Sequence, residues 1–363
     1  MLRTIGLMSG TSLDGVDAAW IETDGERIGR FGPSLTLPYA PELRRDLRRL
    51  LDLAGSIAAD DPFLAACVRR LTERHAEAVR RLGTGAELIG FHGQTILHRP
   101  VAGRPGEGRT WQIGDAALLA RLTGTRVAHD FRSADVAAGG QGAPLVPVVH
   151  AALAAELPKP VAILNLGGVG NVTWIGRDGR LIAFDTGPAN APLDDWMRQR
   201  AGVDFDRDGA LALSGRPEAR VLAELMAHPY FAAPPPKSLD RLDFHHALER
   251  AGLAGLAPAE GAATLVEFVA LSVAAAAAHC PEAPHRWLVT GGGRRNGAIM
   301  QALARVLAAP VQAVETVGWD GDALEAQAFG VLAARVLRGL PLTFPGTTGA
   351  SAPLRGGRLT APP

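Results

Sequence analysis

The chain has 363 residues, 47% of them hydrophobic and 20% charged, and its 37 basic and 37 acidic side chains leave a formal net charge of zero. That length favours two hydrophobic cores over one, and the charge balance excludes the electrostatic footprint of a protein that binds nucleic acid or an anionic membrane. Cys67 and Cys280 lie far apart and outside any metal-ligand spacing, and no basic-then-apolar leader opens the chain, so the expectation is a disulfide-free cytoplasmic protein.

Residues 5–8 are an apolar run, 9–15 read Ser-Gly-Thr-Ser-Leu-Asp-Gly, and 16–21 are apolar again. This predicts a strand, a tight polar turn and a returning strand. Glycines let a backbone bring its N–H groups up to an anion, and hydroxyls add donors. Asp14 inside such a loop suits a phosphate carried with a cation, and the plainer reading is a hairpin with a polar tip. Amphipathic helices follow over 41–53 and 62–82, the second with Leu64, Cys67, Leu71 and Val79 on one face. A strand over 87–91 runs into His92-Gly93-Gln94-Thr95, Trp111 to Asp115 enter a short helix, and 126–129 form a further strand. Residues 130–144 are rich in Gly, Ala and Pro, which places a domain boundary near their start: 1–131, rejoined by 346–363, and 132–345.

The second half begins as the first did. A strand over 161–166, the turn Gly167-Gly168-Val169-Gly170-Asn171 and a strand over 172–175 lead to another strand at 181–184 that ends in Asp185. Helices over 193–200, 264–280, 296–306 and 322–338, strands at 286–290 and near Val311, and the turn Gly291-Gly292-Gly293 complete an α/β series. The apolar run 268–278 is too short to span a bilayer and reads as a buried helix. A strand, glycine turn and strand opening each half suggest a duplicated domain plan with a ligand clasped in the cleft between the halves.

The Walker P-loop is excluded because both lysines, Lys159 and Lys237, follow prolines, and the Rossmann glycine spacing fails at each cluster. Asp204 to Gly209 imitate the start of a calcium loop, but Gly215 stands where its bidentate Glu belongs, leaving a polar turn before a helix. Asp185, at a strand end and followed by Thr-Gly-Pro, should project from the C-terminal edge of a sheet. There it could act as a base toward a hydroxyl or a water; the alternative is a carboxylate capping the next helix. His92, Gln94, Asp115 and Arg132 read as turn residues or as ligand contacts, and Gln327, Trp319 and His98 as core or surface.

The segments GLMSGTSLDGVDAA, FHGQT, WQIGD, HDFRSADVAAGGQGAPL, LNLGGVGNVTWI, FDTGPAN, DRDG, PPPKS, TGGGRRN and DALEAQAFG occur in that order over nearly the whole chain. Together they resemble the anhydro-N-acetylmuramic acid kinase family, part of the superfamily of sugar kinases, heat-shock ATPases and actin. The resemblance implies two actin-like α/β domains with a ribonuclease H-like duplicated core and an interdomain cleft. It also implies ATP-dependent conversion of 1,6-anhydro-N-acetylmuramic acid to N-acetylmuramic acid 6-phosphate in cell-wall recycling. Asp185 then matches the base that activates water, and Glu325 a residue that helps hold that water. Gly10, Thr11, Ser12, Leu13, Asp14, Gly15, Val16 and Asp17 match one ATP-binding segment, and Gly167, Gly168, Val169, Gly170 and Asn171 a second. Gly291, Gly292, Gly293 and Asn296 match the adenosine side. Mg²⁺ is implied with the nucleotide, Asp14 being its candidate partner and Asp17 the other choice. Gln94, Asp115, Arg132 and Asp135 are the sugar-binding candidates, with Arg132 for the lactyl carboxylate. A homodimer is usual in the family. Two departures stand out: Leu239-Asp240 follow Ser238 where Thr-Gly is usual, and Ala189 stands where Gly is common. A same-fold kinase for another sugar or anhydrosugar, and a nucleotide-switched binding module, are the competing readings.

Overall fold

A computed structural model describes residues 1–10, 12–239 and 244–363. The chain divides into two compact units, Met1–Ala155 joined by Ala323–Pro363, and Glu156–Asp322.

The first unit is built on β1 (Leu2–Ser9), β2 (Gly15–Thr23), β3 (Ile28–Pro38), β4 (Leu88–Arg99), β5 (Arg109–Ile113), β6 (Arg126–His129) and the C-terminal β12 (Arg358–Thr360). Their order is β12-β6-β4-β1-β2-β3, with β5 paired to β4. β1, β2 and β3 form an antiparallel meander, and β4 and then β6 add in parallel beside β1. Strand alternation sends Ile5 and Leu7 into a cluster with Leu47 and Leu50 of the helix Pro41–Leu53 and Cys67 and Leu71 of the helix Pro62–Leu82. Asp61 caps the second of these helices by accepting from Phe63 N–H at 2.7 Å. Gly6 and Gly90 instead face the helix Leu324–Arg338. A Cβ on Gly6 would lie 1.7 Å from the Ala326 carbonyl oxygen, and one on Gly90 1.9 Å from that of Phe329. Only glycine lets that helix lie so close to the sheet.

The unit boundaries differ from those expected. Phe131, Leu145, Val148 and Val149 share a cluster with Leu88, Ala128, Phe329 and Leu332, so the glycine-rich segment after Asp130 stays with the first unit. The division falls at 155/156 and not at 131/132. The return begins at Ala323 and not at 346, because the helix Leu324–Arg338 belongs to that cluster.

The second unit repeats the plan with β7 (Val161–Leu166), β8 (Val169–Ile175), β9 (Leu181–Pro188), β10 (Trp287–Thr290) and β11 (Val311–Ala313), in the order β11-β10-β7-β8-β9. An antiparallel meander, β7-β8-β9, is again extended by two parallel strands on the side of the first. The duplication expected from two glycine turns is therefore a duplication of whole sheets. The helix Pro258–Ala277 packs Leu265, Phe268, Val269 and Val273 against Leu164, Val172 and Phe184. It begins well before the expected apolar run because Gly261, Ala262 and Ala263 continue it. At 20 residues and a mean hydropathy of 1.5 it is long and apolar enough to cross a membrane by length and composition, and it is buried within this unit.

Candidate active site

Asp185 lies on β9, the edge strand of the second sheet. β9 pairs with β8 through a bulge: Gly170 faces Gly187 and Asn171 faces Asp185, leaving Thr186 unopposed. Such an extra residue re-aims the side chains beside it. The antiparallel register sets Asn171 directly across from Asp185 on the same face of the sheet, at the cross-strand spacing of about 5 Å. On the open edge of β9, Asp185 N–H donates to the Lys237 carbonyl at 3.0 Å. Leu239 N–H donates to Asp185 Oδ2 at 2.8 Å. Tyr230 OH donates to the Asp185 carbonyl, and Lys237 Nζ to that of Tyr230 at 2.9 Å. Burial pushes the Asp185 carboxyl up to about 7, against the opposite pull of the Leu239 N–H.

Asp185 is not a helix cap. The helix Asn190–Arg200 starts after Ala189 with no side-chain cap. Leu239, one of the two departures from the family pattern, acts at this carboxylate through its backbone, which any residue but proline could supply. Its neighbour Asp240 lies outside the described residues.

The glycine turns after β7 and β10 lie at the C-terminal end of the same sheet. Asn190 N–H and Ala189 N–H donate to the carbonyls of Gly167 and Gly168 at 2.9 and 3.0 Å, and Asn190 Nδ2 donates to Leu166 O at 2.8 Å. Asn190 thereby locks the turn after β7. It was missed as a site residue, although it closes the FDTGPAN motif. Gly291 has φ of 75°, and a Cβ there would lie 2.4 Å from Asn165 Oδ1. Arg294 clamps this turn: Nη1 donates to Gly291 O at 3.0 Å, while Nε and Nη2 pair with Glu315 at 2.7 Å and Asp322 at 2.9 Å. The signal for this clamp was the Arg-Arg pair after the glycines, but its acidic partners lie 21 and 28 residues away.

Asn296 is used as a cap. Its Oδ1 accepts from Ile299 N–H at 3.1 Å, and its Nδ2 donates to Asp206 O at 3.3 Å. Asp206 in turn caps the helix Ala210–Ser214 by accepting from Leu211 and Ala212 N–H.

In the first unit, the loop between β1 and β2 holds Gly10, Ser12, Leu13 and Asp14; Thr11 lies outside the described residues. The side chains of Leu13 and Val16 are fully buried, so these two residues can offer a ligand only their backbone. Leu13 adopts φ of 57°, a left-handed conformation unusual for a non-glycine residue. Asp14 is exposed and pairs with Arg44 at 3.0 Å, and Asp17 accepts from Thr36 Oγ1 at 2.6 Å.

The four sugar candidates all fall in this first unit. Gln94 is fully buried and accepts from Ser9 Oγ at 2.5 Å. Asp115 caps the helix Ala116–Thr123 through Leu118 N–H at 2.8 Å. Asp135 is 2% exposed and accepts from Gly142 N–H, Thr343 Oγ1 and Thr348 Oγ1 at 2.6 to 2.7 Å, so its carboxylate holds the 139–142 loop in place. Arg132 donates from Nε to His92 Nε2 at 3.1 Å and from Nη1 to Gly142 O at 2.7 Å. Burial lowers the Arg132 guanidinium to about 10, opposed by the charges of Glu325 and Asp135. His92 Nδ1 lies 2.9 Å from Gly93 O, which must accept, so Nδ1 carries the proton and Nε2 receives Arg132. Burial, and then the Arg132 charge, hold that imidazole well below its ordinary value. Glu325 is exposed in the first turn of its helix. Beside Arg132 opens a pocket of about 250 Å³ lined by Phe91, His92, Trp111, Gln112, Asp130 and Ser133 among others. Among the described residues no group of three or more His, Cys, Asp or Glu could hold a metal ion.

A family profile described as anhydro-N-acetylmuramic acid kinase matches residues 2–361. A relative of that name from Acidiphilium cryptum is 59% identical over 361 residues, covering 99% of both chains. Another from Rhodospirillum rubrum is 57% identical, covering 97% of this chain and 92% of its own. Among solved structures, xylulose kinase from Rhodospirillum rubrum aligns over 99% of this chain and 94% of its own, at a TM-score of 0.44 and 15% identity. With the profile spanning both duplicated sheets and relatives matched end to end, the chain belongs to the anhydro-N-acetylmuramic acid kinase family.

Proposed function

We propose that this chain opens the 1,6-anhydro ring of anhydro-N-acetylmuramic acid with water and transfers the γ-phosphoryl group of ATP to O6, giving N-acetylmuramic acid 6-phosphate and ADP in the cytoplasm. Asp185 carries the reading. A carboxyl raised to about 7 is half ionised near neutrality, so it can both take a proton from water and release it again. Water adds to C1, its proton goes to Asp185, and the C1–O6 bond breaks. The electron pair left on O6 attacks the γ-phosphorus, and ADP departs. The developing charge on O6 is absorbed by the phosphoryl group, so no second carboxyl has to protonate it, unlike the acid and base pair of an inverting glycosidase.

Asn171, across the strand from Asp185, and the Gly167-Gly168 turn held by Asn190 are the phosphate-facing elements of the second unit. The turn clamped by Arg294 serves the adenosine side, with Asn296 acting there through its cap. Gly10 to Asp17 serve the phosphates in the first unit. Arg132, oriented by His92 and Gly142 O, is the cation for the lactyl carboxylate, and Asp115 is a polar contact for the sugar. The neighbouring pocket, with Trp111 beside Gln112 and His92, suits a sugar's apolar face and its hydroxyls. Gln94 and Asp135, both buried, act by holding this surface in shape. Glu325 is the assisting carboxylate.

Mg²⁺ neutralises ATP phosphates when bound. Mg²⁺ in such sites keeps several waters and uses one or two carboxylates. Exposed Asp14 meets that modest demand by exchanging its Arg44 partner, and Asp17 lies nearby in sequence. The test is stoichiometry: purified protein with anhydro sugar, ATP and Mg²⁺ yields ADP and the 6-phosphosugar one for one. ADP formed without ring opening would overturn the reading, as would faster turnover of an ordinary hexose.

A further inference from the structure

Tyr39 stands outside every role assigned above. It follows β3 and is 7% exposed. Its backbone N–H donates to Asp14 O at 3.1 Å, and its hydroxyl lies 2.6 Å from Ser9 Oγ. Ser9 and Asp14 bracket the loop between β1 and β2, so one residue grips that loop at its entry and at its exit.

The hydroxyl contact has a single direction. Gln94 Nε2 donates to Thr95 O at 3.2 Å, and a carbonyl can only accept, which fixes the Gln94 amide with Oε1 toward Ser9. Ser9 therefore spends its one proton on Gln94 Oε1 at 2.5 Å and can only accept from Tyr39. The order is Tyr39 O–H to Ser9, Ser9 O–H to Gln94, Gln94 N–H to Thr95. Burial raises the Tyr39 phenol, so it remains a donor at any working pH. The chain runs from the turn after β3 through the end of β1 to the middle of β4. These contacts fix the loop at both of its ends.

We propose that Tyr39 is a positioning residue for the nucleotide loop, holding its two ends, Ser9 and Asp14, in place before ATP arrives. This rests on the reading of that loop as phosphate-binding.

The test uses three single variants of this chain and one double variant. Tyr39→Phe removes the hydroxyl and keeps the ring and the backbone N–H. It should raise KM for ATP about fivefold, the loss of one net hydrogen bond, while KM for the sugar and kcat change less than twofold. Ser9→Ala should raise KM for ATP further. The double variant should be no worse than Ser9→Ala alone, since both belong to one chain of hydrogen bonds. Gly10→Val checks the underlying reading. A Cβ there would meet nothing closer than Ser12 Oγ at 3.6 Å, and an unchanged thermal midpoint of this variant shows that any loss of ATP binding is the ligand's and not the fold's. If Gly10→Val weakens ATP and Tyr39→Phe does not, the positioning role is refuted and the loop reading stands. If Gly10→Val leaves ATP unaffected, the loop reading itself fails. Equal increases in both KM values for Tyr39→Phe would mark general loosening and would also refute the proposal.

Discussion

Replacing Asp185 by Asn should stabilise the protein above neutral pH while stopping its chemistry. The carboxyl titrates near 7 in the fold and near about 3.9 in an unfolded chain. A raised acid pKa means that the folded state holds its proton more tightly. The corresponding stability is fully present below about pH 4, fades as pH rises through 7, and is gone above that. Three units at about 1.4 kcal/mol each set a ceiling of about 4 kcal/mol. Asp185 keeps some contact with solvent, and about 3 kcal/mol is the working figure. Asn has no such titration, and its Oδ1 can still accept from Leu239 N–H. For a unit of this size about 3 kcal/mol corresponds to roughly 6–12 °C. Thermal unfolding of the two proteins from pH 4 to pH 9 should therefore give midpoints that coincide at the acid end. The Asn variant should draw ahead between about pH 4 and 7 and hold a constant lead above that. A difference independent of pH, or an Asn variant less stable throughout, would refute the argument that burial raises this carboxyl.

The same group predicts that kcat/KM rises with pH and levels off above about 7, because the base must be ionised in the free enzyme; a profile flat from pH 5 to 8 would contradict it. Gly6→Ala should cost more than about 3 kcal/mol or prevent folding, since a Cβ there would sit 1.7 Å from the Ala326 oxygen and backbone has to move to accept it; chemical denaturation measures this. Arg294→Lys should raise KM for ATP severalfold with little effect on KM for the sugar, because an ammonium cannot reach Gly291 O, Glu315 and Asp322 together.

Much of the second unit was legible because its signals are local. Glycine turns after apolar runs marked β7 and β10, whereas Asp185, expected at a strand end, lies inside β9, which runs on to Pro188. The bulge at Thr186 was not legible, since it depends on register against β8. The cap formed by Asn296 on its own helix required knowing which way a polar side chain turns, and one sequence leaves that open. β3 carries exposed residues on most of its length and lacks the alternation that flags a strand. β5 reads in the sequence as the approach to a helix because the polar Gln112 interrupts its apolar run. The boundary at Ala155 was hidden because glycine-rich composition marks loops equally well inside a unit. Asp135 shows the limit most plainly: a carboxylate in a motif looks like a ligand contact until its three donors, two of them over 200 residues away, are in view.

The most direct test of the central claim is a single-turnover reaction of wild type and Asp185→Asn with ATP, Mg²⁺ and anhydro sugar, following ADP and 6-phosphosugar together. The account predicts equal amounts of both products from wild type. From the variant it predicts that both products form at least about a thousandfold more slowly, with ATP still bound at close to wild-type affinity. Sugar phosphorylation at more than a tenth of the wild-type rate in the variant would contradict it.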